Sequence, residues 1–437
     1  MYHLKQQLLQ FIPASVLSSY HLLLAWFGAI LYGFPARRLL VIGVTGTKGK
    51  SSTTELLNAM LEEAGYTTAL INSIRFKTAD DSRRNLIRMS MPGRFFIQRF
   101  LYNALKKNCS AAVLEMTSEG AWQNRHRFID LDTLVFTNLA PEHIESHGSL
   151  EAYANAKFKI GLELARSKKR PRTIIANADD KESGRYLTLP VENSMPFSLA
   201  AVAPFRADSY GGSFTLEGRE FPVRLPGEFS LKNALAASLA ARAAGIPLDT
   251  IRRALERMTK IPGRAETIEA GQNFTVVVDY AHTPDSLQAL YSAYGDLRKI
   301  CVLGGTGGGR DTWKRPIMGR IAGTSCDTVI LTNEDPYDED PEQIVNDISH
   351  GSTRRAEIIM DRRAAIWRAL EIAAHWAENV PKDTDGPKSK RVAVLISGKG
   401  ADPDIRGPRG TKIVWSDADV AREEIEKLLA KQVKRSV

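Results

Sequence analysis

The chain has very little cysteine. Cys109, Cys301 and Cys326 are scattered through 437 residues without a Cys-x-x-Cys pair, so neither a disulfide framework nor a thiolate zinc site is indicated. A reducing cytoplasm fits that usage. Internal repeats and low-complexity tracts are lacking too, which excludes solenoids and arrays. The formal net charge is +9, yet no basic stretch is interleaved with aromatics and no nucleic-acid motif occurs. Nucleic acid is therefore excluded as a partner, and the anions that remain are nucleotides, phosphorylated substrates or an anionic membrane surface.

Charge is also missing locally: residues 6–36 contain no Asp, Glu, Lys or Arg. The apolar part, residues 16–34, only just reaches the lower limit for a membrane span and is diluted by Ser18, Ser19 and His21. No small-residue cleavage site follows it, so it does not read as a secretory signal. Three readings stay open: a helix packed on the protein itself, an interfacial helix in peripheral membrane contact through residues 16–34, and a true span. Tyr20, Trp26 and Tyr32, with Arg37-Arg38 beyond, would suit a headgroup boundary.

What is present points to phosphate. The run Gly43-Val44-Thr45-Gly46-Thr47-Lys48-Gly49-Lys50-Ser51 follows the apolar residues 39–42. Glycines let a backbone turn tightly so that its N–H groups and the next helix N-terminus aim at phosphate oxygens. Lys50 would meet the β- and γ-phosphates and the Ser51 hydroxyl would face Mg²⁺. Gly46, Thr47, Gly49, Lys50, Ser51 and Ser52 are the expected nucleotide contacts. The loop is one residue longer than the common P-loop, since Val44 stands where glycine is usual and Gly43 comes one position earlier.

A length of 437 residues with 43% apolar and 25% charged content fits a globular chain of two to three domains. Apolar β-branched runs alternate with helical patterns at residues 39–44, 111–116, 133–138 and 173–177, which predicts a parallel sheet covered by helices. An Ala-rich helix over 230–244 and a second one ending near Lys260 precede Ile261-Pro262-Gly263-Arg264, which reads as a linker. A second α/β series follows, with strands near 274–279, 299–303, 328–332 and 392–397. The expected fold class is α/β: a P-loop ATPase domain with a central, mostly parallel sheet over 39–262, a Rossmann-like α/β domain over 263–437, and an apolar segment at 1–38.

Glu115 closes an apolar strand, placing a carboxylate at the sheet edge where ligands of open α/β sheets collect, and is a candidate Mg²⁺ ligand. A second strand ends in Asn138, Glu142, His143 and His147. The two histidines are four apart and would share a helix face. A metal role for them competes with two surface histidines beside carboxylates. Tyr153-Ala-Asn-Ala-Lys157 alone would be a helix with a solvated lysine.

Taken in order, residues 43–51, Glu115, Thr137-Asn138-Leu139, His143, His147-Gly148 and Tyr153-x-x-Ala-Lys157 resemble the ATPase domain of Mur ligases. Asp279-Tyr-Ala-His282-Thr-Pro, Gly304-Gly-Thr-Gly-Gly-Gly-Arg310-Asp311, Lys314-Arg-Pro-Ile-Met-Gly319 and Ser397-Gly-Lys-Gly400 are similar to the amino-acid-adding UDP-N-acetylmuramoyl-tripeptide synthetases. The resemblance spans about residues 39–430. It implies that ATP phosphorylates a substrate carboxylate and that an amine displaces phosphate from the acyl phosphate, with ATP and Mg²⁺ as cofactors. It further implies catalytic roles for Lys50, Glu115, His143 and Lys157, with Ser51, Glu115, His143 and a carbamylated Lys157 around the metals. Asn138, Asn233, Asp279, His282 and Arg310 correspond to nucleotide-side residues.

On the acyl side, Ser90-Met-Pro-Gly93, Thr117-Ser118 and Gln123-Asn-Arg125 resemble muropeptide-contacting elements, making Ser90, Ser118, Gln123 and Arg125 the candidates. On the amine side, Glu334-Asp335-Pro336-Tyr337 stands where the family carries Asp-Asn-Pro-Arg, typical of diaminopimelate addition. A guanidinium fork clamps a distal carboxylate and a tyrosine does not carry that charge, so diaminopimelate is expected to be disfavoured. Only 42 residues precede Gly43, fewer than the separate UDP-holding domain of these synthetases needs, so a UDP clamp is expected to be absent or replaced. The alternatives kept are a folylpolyglutamate-synthase-like enzyme, a ligase acting on a lipid-linked acyl group, and a nucleotide-binding scaffold. The expected address is the cytoplasm, with the inner face of the plasma membrane as its variant.

Overall fold

The computed structural model describes residues 14–93, 95–142, 144–309, 311–378 and 391–435. His143 and Arg310, both singled out above, lie outside them. The chain forms two compact units: Met1–Leu139 with His147–Ala201 and Asn233–Ala254, and Ala140–Ser146 with Val202–Lys232 and Leu255–Val437.

The first unit opens with helix α1 (Ala14–Leu31) and a 3-10 turn at Pro35–Arg38, then builds an eight-stranded sheet. Its strands are β1 (Leu40–Thr45), β2 (Thr68–Ile71), β3 (Arg75–Thr78), β4 (Asp81–Arg84), β5 (Ala111–Glu115), β6 (Thr133–Phe136), β7 (Thr173–Asn177) and β8 (Asn193–Phe197). The order is β4-β3-β2-β5-β1-β6-β7-β8. Strands β2, β5, β1, β6, β7 and β8 are parallel, while β3 and β4 add an antiparallel edge. The chain leaves β1 through helix α2 (Lys50–Glu63) toward β2 on one side and later places β6 on the other. The carboxyl end of β1 is thus the point where the winding reverses, the place where such sheets bind ligands. Helices α3 (Phe96–Lys106), α4 (Ser118–Trp122) and α5 (Leu150–Arg166) complete the parts of this unit that matter for the site. Strands β1, β5, β6 and β7 are buried along nearly their whole length, which explains why they read as continuous apolar runs and not as alternating ones.

The second unit carries a three-stranded antiparallel sheet, β9 (Phe205–Ala207), β10 (Gly212–Leu216) and β11 (Arg219–Val223). Its main sheet runs β12-β13-β17-β14-β15-β16, formed from β12 (Glu266–Thr267), β13 (Thr275–Asp279), β14 (Arg298–Leu303), β15 (Thr328–Leu331), β16 (Glu357–Ile358) and β17 (Val392–Ser397). All pairs but β12 with β13 are parallel. Alternate residues feed two cores: Val277, Cys301, Leu303 and Leu395 face one, and Val276, Val278, Ile300, Val302 and Val394 face the other.

Two expectations change. Cys301 in β14 is bonded to Cys326, which follows the helix Lys314–Ser325, with a Cα–Cα distance of 6.1 Å. The helix returns the chain to the start of β15, next to β14, so cysteines 25 residues apart in sequence become neighbours without any local spacing signal. Residues 261–264 are not a loose linker: Ile261 and Arg264 bridge each other, and Gly263 lies so close to the 400–401 backbone that a Cβ would sit 2.0 Å from the Ala401 nitrogen. Among the described residues no helix is long and apolar enough to cross a membrane.

Candidate active site

Beyond β1 the chain enters the phosphate loop with Gly46 at φ +143°, where a Cβ would lie 2.0 Å from the Thr137 hydroxyl oxygen. Gly49, at φ +81°, starts α2, and a Cβ there would lie 2.2 Å from Asn233 Oδ1. Both positions need glycine for backbone conformation and for room. The loop is held from the end of β6. The Lys48 amide donates to Asn138 Oδ1 at 2.8 Å, Asn138 Nδ2 donates to the Lys48 carbonyl at 3.1 Å, and the Thr137 hydroxyl donates to the same carbonyl at 2.7 Å. The Thr47 amide donates to the Asn138 carbonyl at 2.8 Å. Lys50 Nζ curls back onto the Thr47 carbonyl at 2.9 Å, over the loop it is expected to serve.

A buried oxygen cluster sits at the start of α2. Ser51 Oγ donates to Glu115 Oε2 at 2.8 Å, and the Ser73 amide donates to the same oxygen at 3.0 Å. Ser73 Oγ lies 2.8 Å from Ser51 Oγ and, with the Ser51 proton given to Glu115, is the donor there. Ser73 follows β2, a strand far away in sequence, and sequence reading missed it. Two hard oxygens, Ser51 Oγ and Glu115 Oε2, converge within 2.8 Å at the site's edge, the donor type Mg²⁺ takes alongside phosphates and water. These residues fit the ion. Among the described residues no group of three or more His, Cys, Asp or Glu is arranged to hold a metal.

Lys157, buried on α5, donates from Nζ to the Gly46 carbonyl at 2.6 Å and lies 4.6 Å above the Tyr153 ring. The Tyr153 hydroxyl is 3.0 Å from the Thr47 hydroxyl, and the His147 ring is 5.3 Å from the Tyr153 ring. The motif Tyr153-x-x-Ala-Lys157 therefore packs directly beneath the phosphate loop and is not a solvated lysine. Ser52, the third residue of α2, is half-buried.

Of the four acyl-side candidates, Ser118, Gln123 and Arg125 follow β5 and Ser90 precedes α3. Arg125 donates to the Met91 carbonyl, next to buried Ser90, and to Gln123 Oε1 at 2.6 Å. Met91 sulfur accepts from the Thr117 amide at 3.3 Å, beside Ser118, and Thr117 caps α4 through the Gly120 amide at 3.2 Å.

In the second unit, Asp279 at the end of β13 accepts from the Ala265 and Ala281 amides at 2.6 and 2.7 Å, one on each carboxylate oxygen. His282 has Nδ1 2.6 Å from the Tyr280 carbonyl and Nε2 3.1 Å from Glu142 Oε1. Both partners are acceptors, an arrangement that an imidazolium with two N–H groups satisfies. In the glycine-rich loop after β14 the Gly307 amide donates to the Asp335 carbonyl at 2.8 Å. Below it, buried Arg315 pairs with Glu339 at 2.6 Å and Asp347 at 2.9 Å.

The amine-side candidates are more deeply enclosed than their motif suggests. Asp335 is buried and accepts from Lys399 Nζ and from the Arg406 amide, each at 2.8 Å. Glu334 is buried and accepts the Thr306 hydroxyl at 2.9 Å on one oxygen. Burial pushes the Glu334 carboxyl above the usual carboxylate range, against the pull of Arg362 and Lys399. Tyr337 has φ +53° and donates its amide to the Arg406 carbonyl at 3.0 Å.

Residues 44–241 match the Mur ligase middle domain and residues 263–384 the Mur ligase glutamate ligase domain. The UDP-N-acetylmuramoyl-L-alanyl-D-glutamate–2,6-diaminopimelate ligase of Halalkalibacterium halodurans is 32% identical over 427 residues, 95% of this chain and 84% of that one. The UDP-N-acetylmuramyl-tripeptide synthetase of Roseiflexus sp. is 35% identical over 441 residues, with the same two coverages of 95% and 84%. A solved 2,6-diaminopimelate ligase shares 27% identity with a TM-score of 0.60, covering 89% of this chain and 79% of its own. Folylpolyglutamate synthase of Mycobacterium tuberculosis has a TM-score of 0.67 at 18% identity over 91% of this chain and 95% of its own, a likeness of fold alone. With its phosphate loop, sheet order and matched domains, the chain belongs to the Mur ligase family and is, like its relatives, an ATP-dependent ligase that forms carbon–nitrogen bonds.

Proposed function

We propose that this chain joins an amino acid to a muropeptide-type acyl substrate in peptidoglycan precursor synthesis, through an acyl phosphate. A substrate carboxylate oxygen attacks the γ-phosphorus of ATP and ADP leaves. The amino nitrogen then attacks the acyl carbon, phosphate leaves, and the nitrogen sheds a proton. Two anions must meet in the first step, so cationic charge has to be supplied where they meet. Lys50 provides one such charge from the loop. Ser51 and Glu115 are the residues that would hold Mg²⁺, which when bound neutralises phosphate oxygens. The family resemblance adds His143 and a carbamylated Lys157 around a second ion. Asn138, Asn233, Asp279, His282 and Arg310 take the nucleotide; Ser90, Ser118, Gln123 and Arg125 take the acyl substrate; Glu334, Asp335 and Tyr337 border the amine.

The observation that carries the reading is the Ser51–Glu115 pair under a loop clamped by Thr137 and Asn138. In this reading residues 39–262 form the ATPase domain and 263–437 the Rossmann-like ligase domain, the enzyme works in the cytoplasm, and residues 16–34 give it a peripheral membrane contact. The acyl group is carried by UDP, by a lipid or by neither. The test is amine-dependent phosphate release with ATP, Mg²⁺ and UDP-muramoyl dipeptide across a panel of amino acids, with mass spectrometry of the product. One amino acid other than diaminopimelate should give the highest kcat/KM, because Tyr337 offers no guanidinium to a distal carboxylate. Highest kcat/KM with diaminopimelate would overturn the specificity, and ATP turnover that never depends on any amine would overturn the ligase reading.

A further inference from the structure

Helix α1 is built inside out. Its small and polar residues face the protein: His21, Ala25 and Ala29 are buried, and a Cβ on Gly28 would lie 2.7 Å from the Phe95 ring. Its large apolar residues face outward, with Tyr20, Leu23, Trp26, Phe27, Ile30 and Leu31 between 44% and 63% exposed. A helix stabilised only by its own domain would bury the large side chains and expose the small ones. An outward row of this size marks a surface that another phase or partner covers. The helix is not adrift. Asn124 Nδ2 donates to the Ser18 carbonyl at 3.1 Å, the Phe27 ring meets Phe95 edge-on at 6.2 Å, and Tyr32 lies 5.6 Å from Tyr102 on α3.

The surroundings of this row identify what covers it. The first acidic residue of the chain is Glu55, and none occurs between Asp81 and Glu115, a stretch with seven Lys or Arg that includes α3. Exposed Arg37, paired with Asp130 at 2.8 Å, and exposed Arg38 follow the carboxyl end of α1, and exposed Arg99 and Lys106 stand on α3, Lys106 lying 5.4 Å over the Tyr102 ring that meets Tyr32 just past α1. Leu86 and Ile87, 65% and 45% exposed, lie in the connection that leads to Phe95. An apolar, aromatic-rich row without any charge, bordered by cations and short of acids, is the pattern of a helix lying in the headgroup region of a bilayer that carries negative charge.

We propose that α1 docks this chain on an anionic phospholipid surface, its apolar row entering the acyl boundary and Arg38, Arg99 and Lys106 meeting lipid phosphates. The inference rests on the membrane contact named above and deepens it, since it specifies the lipid charge and adds α3 to the binding face; it is independent of the ligase chemistry. Each basic side chain near such a surface contributes roughly fivefold to partitioning, and each large apolar side chain roughly tenfold or more.

The test is flotation of the full chain with vesicles of phosphatidylcholine alone and of phosphatidylcholine mixed with phosphatidylglycerol, at low and high salt, alongside its ATP turnover in solution. The chain should float with the anionic vesicles and lose most of that binding at high salt. The triple variant Leu23→Ser, Trp26→Ser, Ile30→Ser should stay in the soluble fraction. Arg38→Glu, Arg99→Glu, Lys106→Glu should bind roughly a hundredfold more weakly, since three roughly fivefold contributions multiply. Neither triple should change turnover or melting temperature, because all six side chains are exposed. Equal partition into both vesicles would overturn the anionic preference while leaving membrane contact standing. Absence of binding to either would overturn both, with turnover in solution still reporting on the ligase reading. A soluble dimer that the apolar triple converts to monomer would assign the row to a second copy and overturn the proposal.

Discussion

Two buried carboxylates, one at the sheet edge of each unit, are held in opposite ways. Glu115, at the end of β5, is met by neutral donors, the Ser51 hydroxyl and the Ser73 amide. Asp335, after β15, is met by a buried ammonium, Lys399, and close by Arg362 is locked to Asp417 at 2.7 Å with both side chains buried. A carboxylate held by neutral donors keeps its negative charge available to a cation that arrives with a ligand. One already paired with a buried cation is spent on shape. The glycine-rich loops of the two units look alike in sequence, yet the first surrounds a site with charge to offer and the second is tied by hydrogen bonds to Glu334, Asp335 and Glu339.

Removing a cation from the second unit breaks that contrast most severely. Lys399→Met leaves Asp335 buried without its counter-charge and should destabilise the unit by about 3–5 kcal/mol, read by denaturant unfolding. Glu115→Gln, by comparison, should cost little stability. In the first unit the larger effect should fall on activity: Lys157→Ala should lower kcat by roughly a thousandfold, about 4 kcal/mol, with partial rescue by added small carboxylates if the lysine works as a carbamate. Full activity without rescue would remove that assignment.

Acid should tell the units apart next. His126, buried in the first unit, has its pKa pushed down to about 3 by burial, helped by the nearby Arg127 charge. The unfolded chain takes up that proton near pH 6.5 and the folded one only near 3, so between those values the unfolded state binds more protons and stability falls as pH falls. The slope from this group is about 1.4 kcal/mol per pH unit, and His126→Gln should flatten it in pH-resolved unfolding. The smallest effect is Ser73→Ala, which removes one hydroxyl from the Ser51–Glu115 cluster and should cost about 1 kcal/mol, a roughly fivefold loss in kcat/KM with stability nearly unchanged.

Much of this was legible in the chain. The phosphate loop could be read because glycine, lysine and serine at that spacing after a buried strand do one thing, and the parallel sheets because strands buried on both faces become unbroken apolar runs. Ser73 could not, since nothing next to it in sequence marks a strand end that reaches α2 from elsewhere in the sheet. The Cys301–Cys326 bond was hidden for the same reason: neighbouring strands, not sequence spacing, bring the two sulfurs together. The β10–β11 hairpin had a signal that went unread, Glu217-Gly218 between alternating Phe214, Leu216, Phe221 and Val223, and both turn residues take positive φ. Composition showed that residues 16–34 are apolar but not which side of the helix holds the large residues, because that depends on where Phe95 stands.

The clamp on Lys48 has one more implication. Asn138 meets that residue as a neighbouring strand would, taking its N–H with an oxygen and giving its C=O a hydrogen from a nitrogen. Exchanging that single nitrogen for oxygen, as Asn138→Asp does, would set two electron-rich atoms face to face and add a negative charge beside the bend through which triphosphate must pass. A change of one atom at this spot should therefore be felt first by the nucleotide.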